Sequence, residues 1–258
     1  MLEHTIHGDI SGTPVLIAHG LYGSGRNWGV IAKRLSATRR VITVDMRNHG
    51  HSDWSDDHTY PAMADDLAQV IDHIGAPMDV VGHSMGGKAA MMLALTRPDT
   101  LRSLVVGDIA PVAYSHSQMQ YIEAMRAVDL AQVTRRSQAN DQLAALGVEP
   151  ALCSFLTQSL DVAEKRWRLN IDVLAQNMPA ILSFPEVSTT FEGPVLFLSG
   201  AASDYVDRSY RPKILDLFPQ AKFAKIPGAG HWLHAEKPRE FEQNLTSYLN
   251  TISGAHLT

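Results

Sequence analysis

Ser84 lies in Gly82-His83-Ser84-Met85-Gly86, with a glycine two residues before it and another two residues after it. A serine hydroxyl attacks a carbonyl only when a base takes its proton and donors stand ready for the charge developing on the carbonyl oxygen. Glycines at this spacing suit a sharp strand-to-helix turn in which strand and helix approach too closely for a Cβ. Such a turn lifts the hydroxyl above its surroundings and aims the next amide, that of Met85, at a developing oxyanion. A second donor is offered by His19-Gly20-Leu21-Tyr22-Gly23-Ser24-Gly25, a glycine-rich loop directly after an apolar run; the Leu21 amide is the natural partner of the Met85 amide.

With twelve histidines in the chain, location has to choose the base. His231 lies in the small-residue loop Gly228-Ala229-Gly230-His231-Trp232, late in the sequence, where the chain order serine, acid, histidine puts it. His234 falls toward Glu236-Lys237-Pro238 and suits a capping or surface role, while His83 leaves the turn on another side from Ser84 and reads as packing. The acid that would orient the imidazole has two candidates. Asp108 follows Leu104-Val105-Val106-Gly107, and Asp204 follows Val195-Leu196-Phe197-Leu198 through Ser199-Gly200-Ala201-Ala202-Ser203. Either place can supply a carboxylate, and Asp204 could equally serve as a turn or helix cap before Ser209.

These residues need elements to hold them. Short apolar runs at Val15–Ala18, Val41–Val44, Val80-Val81, Leu104–Val106 and Val195–Leu198 are too short for helices and read as strands buried on both faces. Helical spacing over Asn27–Leu35, Tyr60–Ile74, Gly86–Thr96, Ser209–Leu217 and Pro238–Leu249 alternates with them, which predicts an α/β fold with a mostly parallel, doubly wound sheet. The rhythm breaks over residues 113–185, where Gln-, Ala- and Leu-rich stretches predict an all-helical insertion. The expected organisation is a core of residues 1–112 and 186–258 with a helical cap over the carboxyl edge of the sheet, where open α/β sheets place their ligands.

At 258 residues, 45% hydrophobic, the chain can bury one sizeable core. A formal charge of −5 provides no cationic field for phosphate backbones, so nucleic acid is not an expected partner. No apolar run reaches membrane-spanning length. The acidic N-terminus lacks a secretory pattern, and the single cysteine, Cys153, cannot form an internal disulfide; a cytoplasmic location is expected. Asp45, His49 and His51 match no trusted metal-ligand spacing, and neither a metal nor a cofactor is expected; the Asp45 and Arg47 segment suits a structural loop.

The motifs together resemble the YbfF-type bacterial esterase group of the α/β-hydrolase superfamily, related to the abhydrolase-domain proteins. The resemblance runs through His19-Gly20-Leu21-Tyr22-Gly23-Ser24, Asp45-Met46-Arg47-Asn48-His49-Gly50-His51-Ser52, Gly82 to Lys88, Asp108-Ile109-Ala110-Pro111 and Gly228 to Trp232. In many α/β-hydrolases the acid is the third residue after the glycine that ends the later strand, a place held here by Ser203; the resemblance implies Asp108 instead. It further implies hydrolysis of small to medium acyl esters, or thioesters, by Ser84, Asp108 and His231. C–C bond hydrolysis, amide hydrolysis and perhydrolysis share such a triad, and a signalling receptor could retain one to bind a ligand. Haloalkane dehalogenation needs a carboxylate nucleophile at the turn, which Ser84 is not.

Overall fold

A computed structural model describes residues 1–75 and 77–255, so Ala76 and the last three residues of the expected core, 256–258, lie outside it. Nine strands occur among the described residues: β1 (His4–His7), β2 (Val15–Ala18), β3 (Val41–Val44), β4 (Met78–His83), β5 (Leu101–Gly107), β6 (Leu160–Asp161), β7 (Arg166–Trp167), β8 (Val195–Gly200) and β9 (Ala221–Ile226). Seven of them form one sheet in the order β1-β3-β2-β4-β5-β8-β9, parallel throughout except for β1, which pairs antiparallel with β3. The expected parallel α/β sheet is therefore present.

Within this sheet, β1 and β9 are the two strands that apolar runs do not reveal. Both are edges. β1 reads His-Thr-Ile-His, and β9 interleaves Lys222 and Lys225 with apolar residues, so that only Ile226 in the two strands is fully buried and the rest are half-buried or exposed. Polar side chains on an edge discourage pairing with another chain and also erase the apolar signature of a buried strand.

Side chains alternate along each central strand, so the sheet feeds two apolar layers. Leu16, Ala18 and Val80 face a layer with α2 (Tyr60–Ile74) and α3 (Met85–Thr96), whereas Val15, Ile17 and Val81 face α1 (Gly29–Leu35) and the C-terminal helix Pro238–Ala255. Helix α2 buries Met63, Leu67, Val70 and Ile71 at helical spacing and stops at Gly75, whose φ of 115° suits glycine.

Between β5 and β8 the chain forms α4 (Met119–Ala127), α5 (Arg136–Ala145), α6 (Pro150–Leu156), α7 (Ile171–Gln176) and α8 (Met178–Leu182). This stretch is not all-helical: β6 and β7 pair Leu160 with Trp167 and Asp161 with Arg166. A ladder of two residues per strand is too short to print an alternating pattern. It is held by the Arg168–Asp161 ion pair at 2.6 Å and by the Trp167 indole donating to the Met125 carbonyl at 3.0 Å. After β8 come α9 (Arg211–Leu217), α10 (Leu233–Glu236) and α11 (Pro238–Ala255). No helix among the described residues is long and apolar enough to cross a membrane.

β2 and β4 are neighbours, yet the chain runs from β2 to β3 on one side before returning to β4 on the other. Their carboxyl ends, Ala18 and His83, therefore flank a point where the strand order reverses, and a crevice opens there.

Candidate active site

The crevice is built at that reversal. Ser84 follows β4 directly with φ 52° and ψ −121°, a conformation costly for a residue with a Cβ, and α3 begins at the next residue. The strand and helix it joins sit in near contact. A Cβ on Gly82 would stand 2.3 Å from the Gly86 carbonyl oxygen, and one on Gly86 would stand 2.4 Å from that of His19. Both flanking glycines are thus required by close backbone approach.

Met85 opens α3, so its amide has no carbonyl one turn back within the helix. Across the crevice the Gly23 amide donates to the Gly20 carbonyl at 3.1 Å, closing a turn around Leu21, and the Tyr22 amide donates to His49 Nε2 at 3.2 Å. His19 stiffens the same loop: its Nε2 accepts from the Met46 amide at 2.9 Å and its Nδ1 donates to the Gly20 carbonyl at 2.8 Å. That pairing fixes a neutral tautomer, and burial pushes its pKa below the ordinary value.

His231 Nε2 stands 3.1 Å from Ser84 Oγ, and its Nδ1 stands 2.9 Å from Asp108 Oδ2. Asp108 is fully buried at the end of β5, with φ 49°. Its Oδ1 accepts the Gly200 amide at 2.9 Å and its Oδ2 accepts the Ser203 hydroxyl at 2.5 Å. Asp204 stands exposed on the same turn. The cap before Ser209 is supplied by Asp207, which accepts the Ser209 amide at 2.8 Å.

The neighbouring histidines take other parts. His83 Nε2 donates to the His231 carbonyl at 2.8 Å, fastening the loop that carries the imidazole; burial, followed by the nearby His234 and His231, pushes the His83 pKa well down. His234 is not the surface residue its sequence neighbours suggest. α10 turns it inward, where it is buried and stacks on Trp28 with ring centroids 4.2 Å apart, and burial lowers its pKa to about 3. The signal missed is the partner, Trp28, which lies two hundred residues away in sequence.

Asp45, His49 and Arg47 are structural in geometry. Asp45 accepts the Gly25 and His51 amides at 2.8 and 2.9 Å, the His49 ring bridges the Tyr22 amide and the Arg47 carbonyl, and Arg47 binds Asp66 at 2.6 Å. Lys88, one turn into α3, is a buried cation that the motif alone did not single out. Its ammonium donates to the carbonyls of Val112, Leu182 and Ser183 at 3.0, 2.9 and 2.6 Å, and burial pushes its pKa down to about 7.

Ser84 and His231 open on a cavity of about 70 Å³, lined also by Leu21, Leu152, Phe155, Trp232, Lys88 and Tyr114. Two of these, Leu152 and Phe155, come from α6 in the insertion. The space suits an apolar group attached to a carbonyl at Ser84.

A model of the alpha/beta hydrolase fold matches residues 13–238. The chain is 42% identical over 255 residues to the sn-1-specific diacylglycerol lipase ABHD11 of Mus musculus, covering 95% of this chain and 83% of that protein. It is 38% identical over 250 residues to esterase YbfF of Escherichia coli, covering 95% and 96% of the two chains. Among solved structures, a marine microorganism esterase superposes with a TM-score of 0.91 at 38% identity, covering 96% of this chain and 98% of the other.

Proposed function

Since this chain belongs to the α/β-hydrolase family, we propose that it is a serine carboxylesterase acting on small to medium acyl esters, thioesters included, through an acyl-enzyme on Ser84. At the coarser level it is an esterase- or lipase-type α/β hydrolase, as its relatives are. The observation that carries the finer reading is the unbroken hydrogen-bond chain from Ser84 Oγ through His231 to the buried Asp108.

In this reading Ser84 Oγ attacks the acyl carbonyl while its proton passes to His231 Nε2. Asp108 holds the Nδ1–H and stabilises the imidazolium without accepting its proton. The amides of Leu21 and Met85 donate to the oxyanion. As the tetrahedral intermediate collapses, Nε2 returns the proton to the departing alcohol or thiol. Water, deprotonated by the same nitrogen, then attacks the acyl-serine, and a second collapse frees the acid and restores Ser84. Residues 113–185 act as the cap, with Leu152 and Phe155 limiting the acyl group.

Turnover of p-nitrophenyl acetate and butyrate tests this, with loss of activity expected in Ser84→Ala. A protein that binds hydrophobic ligands but turns over none of a broad ester and thioester panel is a receptor, and the proposal fails.

A further inference from the structure

Tyr205 stands outside the serine–histidine–aspartate chain, yet its ring lies flat against the His231 imidazole, with centroids 3.9 Å apart and planes inclined by 21°. Its place is fixed from several directions. The Tyr205 carbonyl accepts the Tyr114 hydroxyl at 2.6 Å, and the Tyr205 amide donates to Ser203 Oγ at 3.3 Å. At the far end of the ring the hydroxyl stands 2.6 Å from His116 Nε2 and accepts from Gln118 Nε2 at 3.4 Å. The Tyr114 hydroxyl in turn accepts the Ala110 amide at 2.9 Å. Backbone and hydroxyl of Tyr205 are therefore both tied to residues 110–118, the stretch leading from Asp108 into the helical insertion.

We propose that Tyr205 is a positioning residue for His231: its ring face holds the imidazole plane in line between Ser84 and Asp108 and stabilises the cation formed there during attack. This rests on the triad reading above. An aromatic face carries negative electrostatic potential, so it attracts a cation stacked on it more strongly than a neutral ring. The imidazolium exists only after Ser84 has given up its proton. The contact accordingly strengthens between ground state and transition state, and its loss appears in kcat more than in KM. A purely structural role would depend on ring size and not on ring charge.

The test compares kcat and KM on p-nitrophenyl butyrate for Tyr205→Phe, Tyr205→Leu and a protein in which pentafluorophenylalanine replaces Tyr205. The fluorinated ring keeps its shape but reverses the charge on its face. Tyr205→Phe is expected to keep kcat within about threefold, because the stack survives without the hydroxyl. Pentafluorophenylalanine is expected to lower kcat about tenfold with KM within about twofold, and Tyr205→Leu to fall at least as far. An unchanged kcat in the fluorinated protein overturns the inference, even if Tyr205→Leu fails to fold. The two readings separate cleanly: an active Ser84→Ala sinks the triad itself, whereas an inactive Ser84→Ala beside an unaffected fluorinated protein sinks only the role of Tyr205.

Discussion

Ser203 Oγ donates to Asp108 Oδ2 at 2.5 Å, and that same carboxylate oxygen faces His231 Nδ1 at 2.9 Å. The residue at the position where many α/β-hydrolases keep their acid is thus in direct contact with the acid proposed here from another strand. β5 and β8 are adjacent in the sheet, with Gly107 beside Leu198, so their carboxyl ends reach the same imidazole. A carboxylate can serve from either end, and here a hydroxyl occupies the second.

Asp108→Asn and Asp204→Asn, measured side by side, check this arrangement. An asparagine at 108 favours the wrong imidazole tautomer and withdraws the charge that stabilises the imidazolium, so kcat is expected to fall by about 10³- to 10⁴-fold. Asp204 is exposed, and its substitution is expected to leave kcat within about twofold. Loss of turnover in Asp204→Asn alone would reverse the assignment.

Ser203→Ala removes one of the three donors around the buried carboxylate and leaves the Gly200 amide and His231 in place. Hydrogen bonds to charged groups contribute about 1.5–3 kcal/mol, and only the part that orients Asp108 reaches the reaction. kcat is expected to drop about tenfold, with Tm lowered by a few degrees. Equal kcat in wild type and variant would mean that the Gly200 amide and His231 suffice to hold Asp108.

How much of this was readable in the sequence differs from residue to residue. The turn at Ser84 was legible because it needs glycines at fixed offsets, and β2 and β8 because burial on both faces favours apolar runs; β4 shows only Val80-Val81 between Asp79 and Gly82. The choice between Asp108 and Asp204 was not legible from spacing, since it depends on which strand end faces the His231 loop. His234 departs from its sequence expectation for a related reason: it stacks on Trp28, a partner brought near only by tertiary packing. The β6–β7 pair carries too few residues for any period to show, and the edge strands β1 and β9 trade apolar runs for polar side chains.

Gly86→Ala tests the close approach at the turn. Its Cβ would lie 2.4 and 2.6 Å from the carbonyl oxygens of His19 and Ala18, both backbone atoms anchored at the end of β2, so the neighbours cannot yield cheaply. The expected cost is about 3 kcal/mol or more, a fall in Tm of about 6–12 °C for a chain of this size. Gly29→Ala, whose Cβ meets open space, is the control and is expected to shift Tm by no more than a few degrees. Similar melting of both variants would contradict the geometry.

Lys88→Met removes the cation that joins Val112, before the insertion's helices, to Leu182 and Ser183, at their end. Methionine fills much of the space but donates nothing, leaving the Val112 and Ser183 carbonyls without their donor, while the Leu182 carbonyl keeps the Tyr114 amide at 3.0 Å. Each unsatisfied buried acceptor costs about 1–3 kcal/mol, offset in part by no longer burying a charge. The expected result is a net loss of about 2–4 kcal/mol in urea unfolding and faster limited proteolysis near residues 112–119 and 181–186. Unaltered proteolysis at both segments would show that the ammonium does not hold the insertion in place.

The buried histidines are expected to set the acid limit of the fold, and His234 isolates the effect. Its folded pKa lies near 3, against 6.5 for an exposed histidine, because burial disfavours the imidazolium. Between these values the unfolded chain binds a proton that the native state refuses, so the stabilisation is full above about pH 6.5 and is lost as pH falls toward 3. One such group contributes a slope of about 1.4 kcal/mol per pH unit in that window. Its Nδ1 has no hydrogen-bond partner among the described residues, and its ring stacks on Trp28, so His234→Phe keeps the stack while removing the titration. Urea unfolding at pH 7 is expected to give stabilities within about 1 kcal/mol for the two proteins. At pH 5 the variant is expected to be the more stable by about 2 kcal/mol, from one and a half units of that slope. Parallel stability curves from pH 7 to pH 4.5 would show that His234 takes up its proton without unfolding and that the acid limit lies with His83 or another buried group.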